Sequence, residues 1–152
     1  MQLTLHTDYA FRVLLYLGSQ APGQMVSTEE ISRAYGISRH HLVRVVQTLN
    51  EHGFVNVVAG RSGGVCLARE PDQICLGEVM RKAEANLKVV ECFDAETNTC
   101  PIISICRLKP VLSEATQAFL AVLDRYTLAD LLDRKRGARL AKVFAAQVTD
   151  KP

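Results

Sequence analysis

Five cysteines stand in this 152-residue chain, and three of them, Cys92, Cys100 and Cys106, share one short stretch with the spacing C-x7-C-x5-C. Thiolates are soft ligands suited to zinc, copper(I) or iron–sulfur clusters. Zinc modules typically pair their ligands as C-x2–4-C, a spacing absent here. The wide spacing suits an object larger than one ion, such as a cluster with separated irons. Three thiolates leave one coordination position to be filled. The odd count excludes a complete set of intrachain disulfides. The N-terminal stretch also lacks the basic-then-apolar pattern of a secretory signal, so the thiols are expected reduced, in the cytoplasm. Cys66 and Cys75 are flanked by Val65, Leu67, Ile74 and Leu76, and are expected to act as small buried hydrophobes.

A second constellation is cationic. Residues 33–69 carry Arg33, Arg39, Arg44, Arg61 and Arg69 against Glu51 alone. The chain-wide net charge of +2 therefore conceals a basic segment, because residues 84–127 are mildly acidic. The elements around it read as helix, helix, turn, helix and hairpin. Helix one spans about Asp8–Ser19 with Thr7 as its N-cap and Ala10, Val13, Leu14 and Leu17 on one face. The run Ser27-Thr28-Glu29-Glu30 opens helix two as a capping box, in which Ser27 and Glu30 satisfy each other's orphan donors. Gly36 stops that helix after Ile31 and Ala34. Ser38 then caps a third helix, Arg39–His52, whose Leu42, Val45, Val46 and Leu49 turn inward, and Gly53 ends it.

A short helix, a three-residue turn and a longer, polar-fronted helix form the helix-turn-helix pattern. The predicted outer face of helix three carries Arg39, His40, Val43, Arg44 and Gln47, with His41 either joining them at the groove or capping and packing. Arg39, His40 and His41, next to the capping Ser38, are placed to meet base edges in a major groove. Arg44 suits phosphate, and Thr28 at the start of helix two can donate to phosphate. Residues 54–58 and 65–67 read as strands around the turn Gly60-Arg61-Ser62-Gly63-Gly64. This is a wing whose tip, Arg61, suits the minor groove of an A·T-rich flank.

A hydrophobic share of 48% and a charged share of 22% place the chain among globular proteins rather than disordered ones. No apolar run approaches the ~18 residues of a membrane span. The expected fold is mainly α with a small β wing. Residues 1–70 form a winged helix-turn-helix DNA-binding domain, and residues 71–105 a connecting helix and the cysteine loop. Residues 106–133 form a long helix with a short follower, and residues 134–152 a basic, disordered tail. The long helix repeats Leu108, Val111, Leu112, Ala115, Phe119, Val122, Leu123 and Tyr126 at helical spacing. That seam points to homodimerisation, which would also pair two recognition helices on a palindromic operator.

Together these features resemble the dimeric winged-helix iron–sulfur repressors, a family whose members include the nitric-oxide sensor NsrR and the cluster-biogenesis regulator IscR. The resemblance rests on Leu3-Thr4-Leu5-His6-Thr7-Asp8-Tyr9-Ala10, on Ile37-Ser38-Arg39-His40-His41-Leu42, on the glycine-rich wing and on the three cysteines. In the IscR branch the fourth ligand is a histidine three positions beyond the third cysteine. Here that position is Lys109, and no histidine follows His52. In the NsrR branch it is an aspartate early in helix one, supplied by the partner subunit, and Asp8 matches it. Asp8 also has plain structural roles, at the positive end of a helix and as an i, i+4 partner of Arg12. The resemblance favours a ligand with Arg12 beside it, and His6 is the fallback. It further implies an iron–sulfur cofactor, [4Fe-4S] favoured over [2Fe-2S], with nitric oxide as effector. A regulator using the cysteines as a thiol switch or zinc site is the alternative, ahead of an electron-transfer protein. No nucleotide fingerprint or catalytic cysteine–histidine pair suggests an enzyme.

Overall fold

The computed structural model describes residues 3–60, 63–132 and 134–149. Among these residues, seven α-helices and one two-stranded sheet follow in the order α1 (Leu5–Gly18), α2 (Thr28–Tyr35), α3 (Arg39–Glu51), β1 (Val55–Val58), β2 (Gly64–Leu67), α4 (Leu76–Ala83), α5 (Leu108–Leu123), α6 (Leu128–Leu131) and α7 (Arg134–Thr149). This is the mainly α fold with a β wing that the pattern predicts. No helix among the described residues is long and apolar enough to cross a membrane.

Helix α1 is the central strut, packing on α3, α4, α6, α7 and β2. Its Ala10, Val13, Leu14 and Leu17 are buried, as the spacing predicts. The helix starts three residues earlier than expected, because Thr4 rather than Thr7 is its N-cap and accepts the Thr7 N–H. Thr7 is instead fully buried. Ser27 does cap α2, accepting the Glu30 N–H at 3.1 Å. The reciprocal half of that box is missing, since the Glu30 carboxylate accepts the Tyr16 hydroxyl at 2.9 Å.

The turn into α3 is built from Gly36, which adopts φ 66°, a left-handed conformation that costs glycine little. Ser32 Oγ donates to the Ile37 carbonyl at 2.6 Å and fastens the turn from below. Helix α3 buries Leu42, Val45, Val46 and Leu49, and Gly53 closes it at φ 68°. Strands β1 and β2 pair antiparallel from Val55↔Leu67 to Val58↔Gly64. The wing is moored to the entry of α2 by reciprocal backbone bonds between Val26 and Val65, at 2.9 and 2.8 Å. Gly64 sits at that crossing, where a Cβ would lie 2.7 Å from the Val26 carbonyl oxygen.

The C-terminal segment departs from expectation. Residues 134–149 form α7, which packs on α1 and α2, rather than a disordered tail. Phe144 is the physical reason. It is buried, with its ring centroid 4.8 Å from Tyr16 and 5.1 Å from Tyr35. Aromatic pairs of this kind contribute about 0.5–1.5 kcal/mol beyond their burial. Leu140 adds a second contact one turn earlier. The basic composition of the segment masked this single anchor.

Candidate nucleic-acid interface and cysteine loop

The residues singled out in the sequence at the start of α3 share one exposed side of the helix. Ser38, Arg39, His40, His41, Val43, Arg44 and Gln47 are all exposed, on the side of α3 opposite its buried apolar row. Thr28, half-buried, opens α2 beside them. Ser38 occupies the N-cap position, but its side chain makes no capping bond, which leaves its hydroxyl and the first N–H groups of α3 available to a phosphate. Arg39 has only a 3.9 Å approach to Glu29, both largely solvent-exposed, so little holds it back from DNA. His41 lies against Tyr9, ring centroids 6.3 Å apart, which links the start of α3 to the first turns of α1. Arg61 lies outside the described residues.

Asp8 and Arg12 form an i, i+4 ion pair at 2.7 Å, each about 40% exposed. Donating a hydrogen bond to the Asp8 carboxylate raises the Arg12 pKa above its ordinary value. The Arg12 guanidinium also lies 5.8 Å from the ring centroids of Tyr9 and Tyr35. Burial pushes the Tyr35 phenol up to about 12, so it is neutral near pH 7, and it donates to the Arg12 carbonyl at 3.1 Å. Asp8 is thus bonded to Arg12 yet reachable from solvent. His6 lies in a shallow cleft with Leu5, Tyr9, His41 and Arg44, facing α3.

Cys92, Cys100 and Cys106 are free thiols, each half-buried. The loop that carries them is laced by its own polar groups. Glu91 accepts the Thr99 N–H and hydroxyl at 2.6 and 2.7 Å, which lowers its pKa. Lys88 meets Asp94 at 2.6 Å. Cys100 N–H donates to Asn98 Oδ1 at 3.2 Å. The donor set fits an iron–sulfur cluster in kind, as three reduced thiols with no disulfide partner among the cysteines. Within this one chain, however, no three His, Cys, Asp or Glu side chains among the described residues are close enough to hold a metal ion. Cys92, Cys100 and Cys106 therefore do not converge as a metal site within one subunit, with or without Asp8.

Cys66 and Cys75 are only half-buried rather than core residues. Cys75 sits at the N-cap of α4, where its thiol approaches the Asp124 carbonyl at 3.7 Å. The reason is a polar junction the apolar neighbours do not reveal, in which Arg81 holds Asp124 by two bonds of 2.6 Å. Glu84 was also hidden from sequence reasoning. Its carboxylate accepts three hydrogen bonds from Thr4 and Thr7, residues roughly 80 positions away. Burial pushes its pKa up, but bonds from Thr7 and Thr4 outweigh that and leave it below the ordinary value.

An exposed polar helix set on a helix-turn-helix, flanked by a wing, defines a winged-helix DNA-binding regulator. Residues 3–134 match Rrf2, described as an iron-dependent transcriptional regulator, and the chain belongs to that family. It is 47% identical over 135 residues to the HTH-type transcriptional regulator NsrR of Bacillus subtilis (strain 168), covering 89% of this chain and 92% of that protein. It is 46% identical over 139 residues to the protein of the same name from Geobacillus kaustophilus, covering 91% and 95%. Among solved structures, IscR of T. potens superposes with a TM-score of 0.66 at 27% identity over 91% of both chains. CymR, the global cysteine regulator of B. subtilis, gives 0.68 at 24% identity over 86% and 95%, a likeness of fold alone. The chain is a DNA-binding transcriptional repressor of this family and not an enzyme.

Proposed function

We propose that this repressor binds a palindromic operator as a homodimer and releases it when an iron–sulfur cluster, [4Fe-4S] in this reading, reacts with nitric oxide. The observation that carries the reading is the placement of three free, half-buried thiols on one self-laced loop, in a chain of an iron-dependent regulator family. Cys92, Cys100 and Cys106 hold the cluster through thiolate. Asp8 of the partner subunit is the fourth ligand, a harder and weaker one than a thiolate. When bound, the cluster supplies iron that takes up a small π-acid such as nitric oxide.

The protein's own groups convert that event into a change at DNA. Asp8 already has a partner in Arg12, at 2.7 Å, so any other claim on the carboxylate competes with Arg12. Arg12 rests against Tyr9, and Tyr9 against His41 at the head of α3. A change at Asp8 is therefore felt where Arg39, His40 and His41 meet base edges, while Arg44, Thr28 and Ser38 hold phosphate and Arg61 the minor groove. This meets the strict sense of allostery, with two sites biasing one element.

The test is anaerobic purification with iron and sulfide analysis, followed by nitric oxide titration monitored by absorption and by anisotropy of labelled palindromic duplex. The wild type is expected to be coloured, and to lose both colour and DNA affinity as nitric oxide is added. Cys100→Ala should be colourless with an unchanged far-ultraviolet circular dichroism spectrum. A colourless wild type after reconstitution, or DNA affinity indifferent to nitric oxide, would overturn the reading. DNA release by reversible thiol oxidation alone would point instead to a thiol switch.

A further inference from the structure

Thr7 is the one buried polar side chain among the described residues. A buried hydroxyl must find a partner or forfeit about 1–3 kcal/mol, and the partner here comes from the far side of the domain. Glu84 Oε2 accepts from Thr7 Oγ1 at 2.7 Å, from Thr4 Oγ1 at 3.0 Å and from Thr4 N–H at 3.1 Å. The same carboxylate is hydrogen-bonded by the Asn86 backbone. Glu84 is the C-cap residue of α4 and the last residue before the cysteine loop. One side chain therefore ties the end of α4, the root of that loop and the first turn of α1, where Asp8 follows Thr7 directly. The junction is continuous with α5, since Leu3, Glu84, Leu87 and Phe119 line one groove.

We propose that Glu84 is a positioning residue that transmits the state of the cysteine loop to the Asp8-bearing turn of α1, and through α1 to the recognition helix α3. The inference rests on the function proposed above and deepens it. Helix α1 packs along α3, and Tyr9, one residue past Asp8, meets His41. Rotation or retreat of the loop root pulls on Glu84, and the three bonds pass that displacement to the helix start. Thr4 and Thr7 are one turn apart, so the carboxylate grips a face rather than a point. A carboxylate is the side chain suited to this task, because one oxygen can accept several donors at once. Glutamine in its place keeps the volume and one acceptor oxygen but loses the negative charge that strengthens three bonds to that one oxygen, and its other terminus becomes a donor.

The experiment compares wild type, Glu84→Gln and Thr7→Val as full-length protein. DNA affinity is measured for the cluster-loaded and metal-free forms, and hydrogen exchange and thermal unfolding for the metal-free form. Thr7→Val conserves the shape of a buried side chain and keeps the test open if Glu84→Gln folds poorly. In metal-free protein, the α1 first-turn amides and the Asn86 amide should exchange faster together in both variants. The ratio of loaded to metal-free DNA affinity should fall about tenfold. A variant that loses thermal stability, or affinity in both states equally, with its ratio intact has lost a structural brace only, which would overturn the proposal. So would unchanged exchange at α1. A wild type with equal affinity in both forms would instead overturn the cluster-controlled function, while the exchange measurement still decides whether Glu84 joins loop and helix.

Discussion

The two halves of this chain differ in one respect above all others. Residues from Thr7 to Ala83 supply nearly the whole buried core, whereas between Glu84 and Thr127 not one side chain is buried. The first half is finished within a single subunit. Helices α1 and α2 are capped by Thr4 and Ser27, Gly36 and Gly53 turn at positive φ, and among the described residues no buried side-chain polar atom lacks a partner. The second half leaves Ile102, Ile105, Leu108, Val111 and Val122 exposed within one subunit. The DNA-reading half is a completed scaffold, and the cysteine arm is a surface awaiting completion. A second copy of α5 and a ligand for the thiols are what the proposed function supplies. The same division suits a sensor, because stability resides where DNA is read and responsiveness where the signal enters.

The largest effect should come from breaking the unfinished half. Val111, 59% exposed on α5, costs nothing to charge in an isolated subunit and a great deal in a helix–helix seam. Val111→Asp should reduce the mass measured by sedimentation to the 16.8 kDa of one chain. Affinity for a palindrome should fall about a hundredfold as the second half-site is lost. The thermal midpoint of the winged-helix half should survive at low protein concentration. An unchanged dimer would place the interface elsewhere.

A core substitution should do the reverse. Leu49 of α3 is 1% exposed, and Leu49→Ala should cost about 2–5 kcal/mol through lost burial and the cavity left behind. Denaturant unfolding would report that loss. Self-association and thiol chemistry of the folded fraction should be untouched. If Leu49→Ala also abolished cluster assembly, the two halves would not be the separable units their packing indicates.

The same contrast explains what could be read before any coordinates. Helical spacing, caps and glycine stops are local, so α2, α3, the wing and the buried rows of α1 and α3 follow directly from the residue order. The exposed recognition face follows with them, since whatever is not in the apolar row must face out. Non-local chemistry was illegible. Thr7 read as a cap because its hydroxyl stands before a helical run, and nothing nearby reveals that Glu84 claims it. Helix α7 read as a tail because one aromatic, Phe144, outweighs a basic composition only when Tyr16 and Tyr35 are already in place. For the candidate site, the cysteine spacing and Asp8 stand out by residue type, but among the described residues they do not converge within one chain.

The smallest effect, and a fine probe of the finished half, lies at the start of α2. Ser27→Ala removes a cap bond of 3.1 Å to the Glu30 N–H and should cost about 1 kcal/mol. In a reciprocal capping box, removing Ser27 and the Glu30 side chain together would show strong coupling, because each satisfies the other's backbone. Here the Glu30 carboxylate is engaged by Tyr16, whose phenol is held well above its ordinary pKa by burial and by that hydrogen bond. The two substitutions should therefore act independently. A double-mutant cycle of Ser27→Ala with Glu30→Ala, read by denaturant unfolding, should show a coupling below about 0.5 kcal/mol. A coupling above ~1 kcal/mol would restore the reciprocal box and detach Glu30 from Tyr16. In that case the tie between α1 and α2 would rest on apolar packing alone, and the DNA-reading half would be held together less by polar closure than its geometry implies.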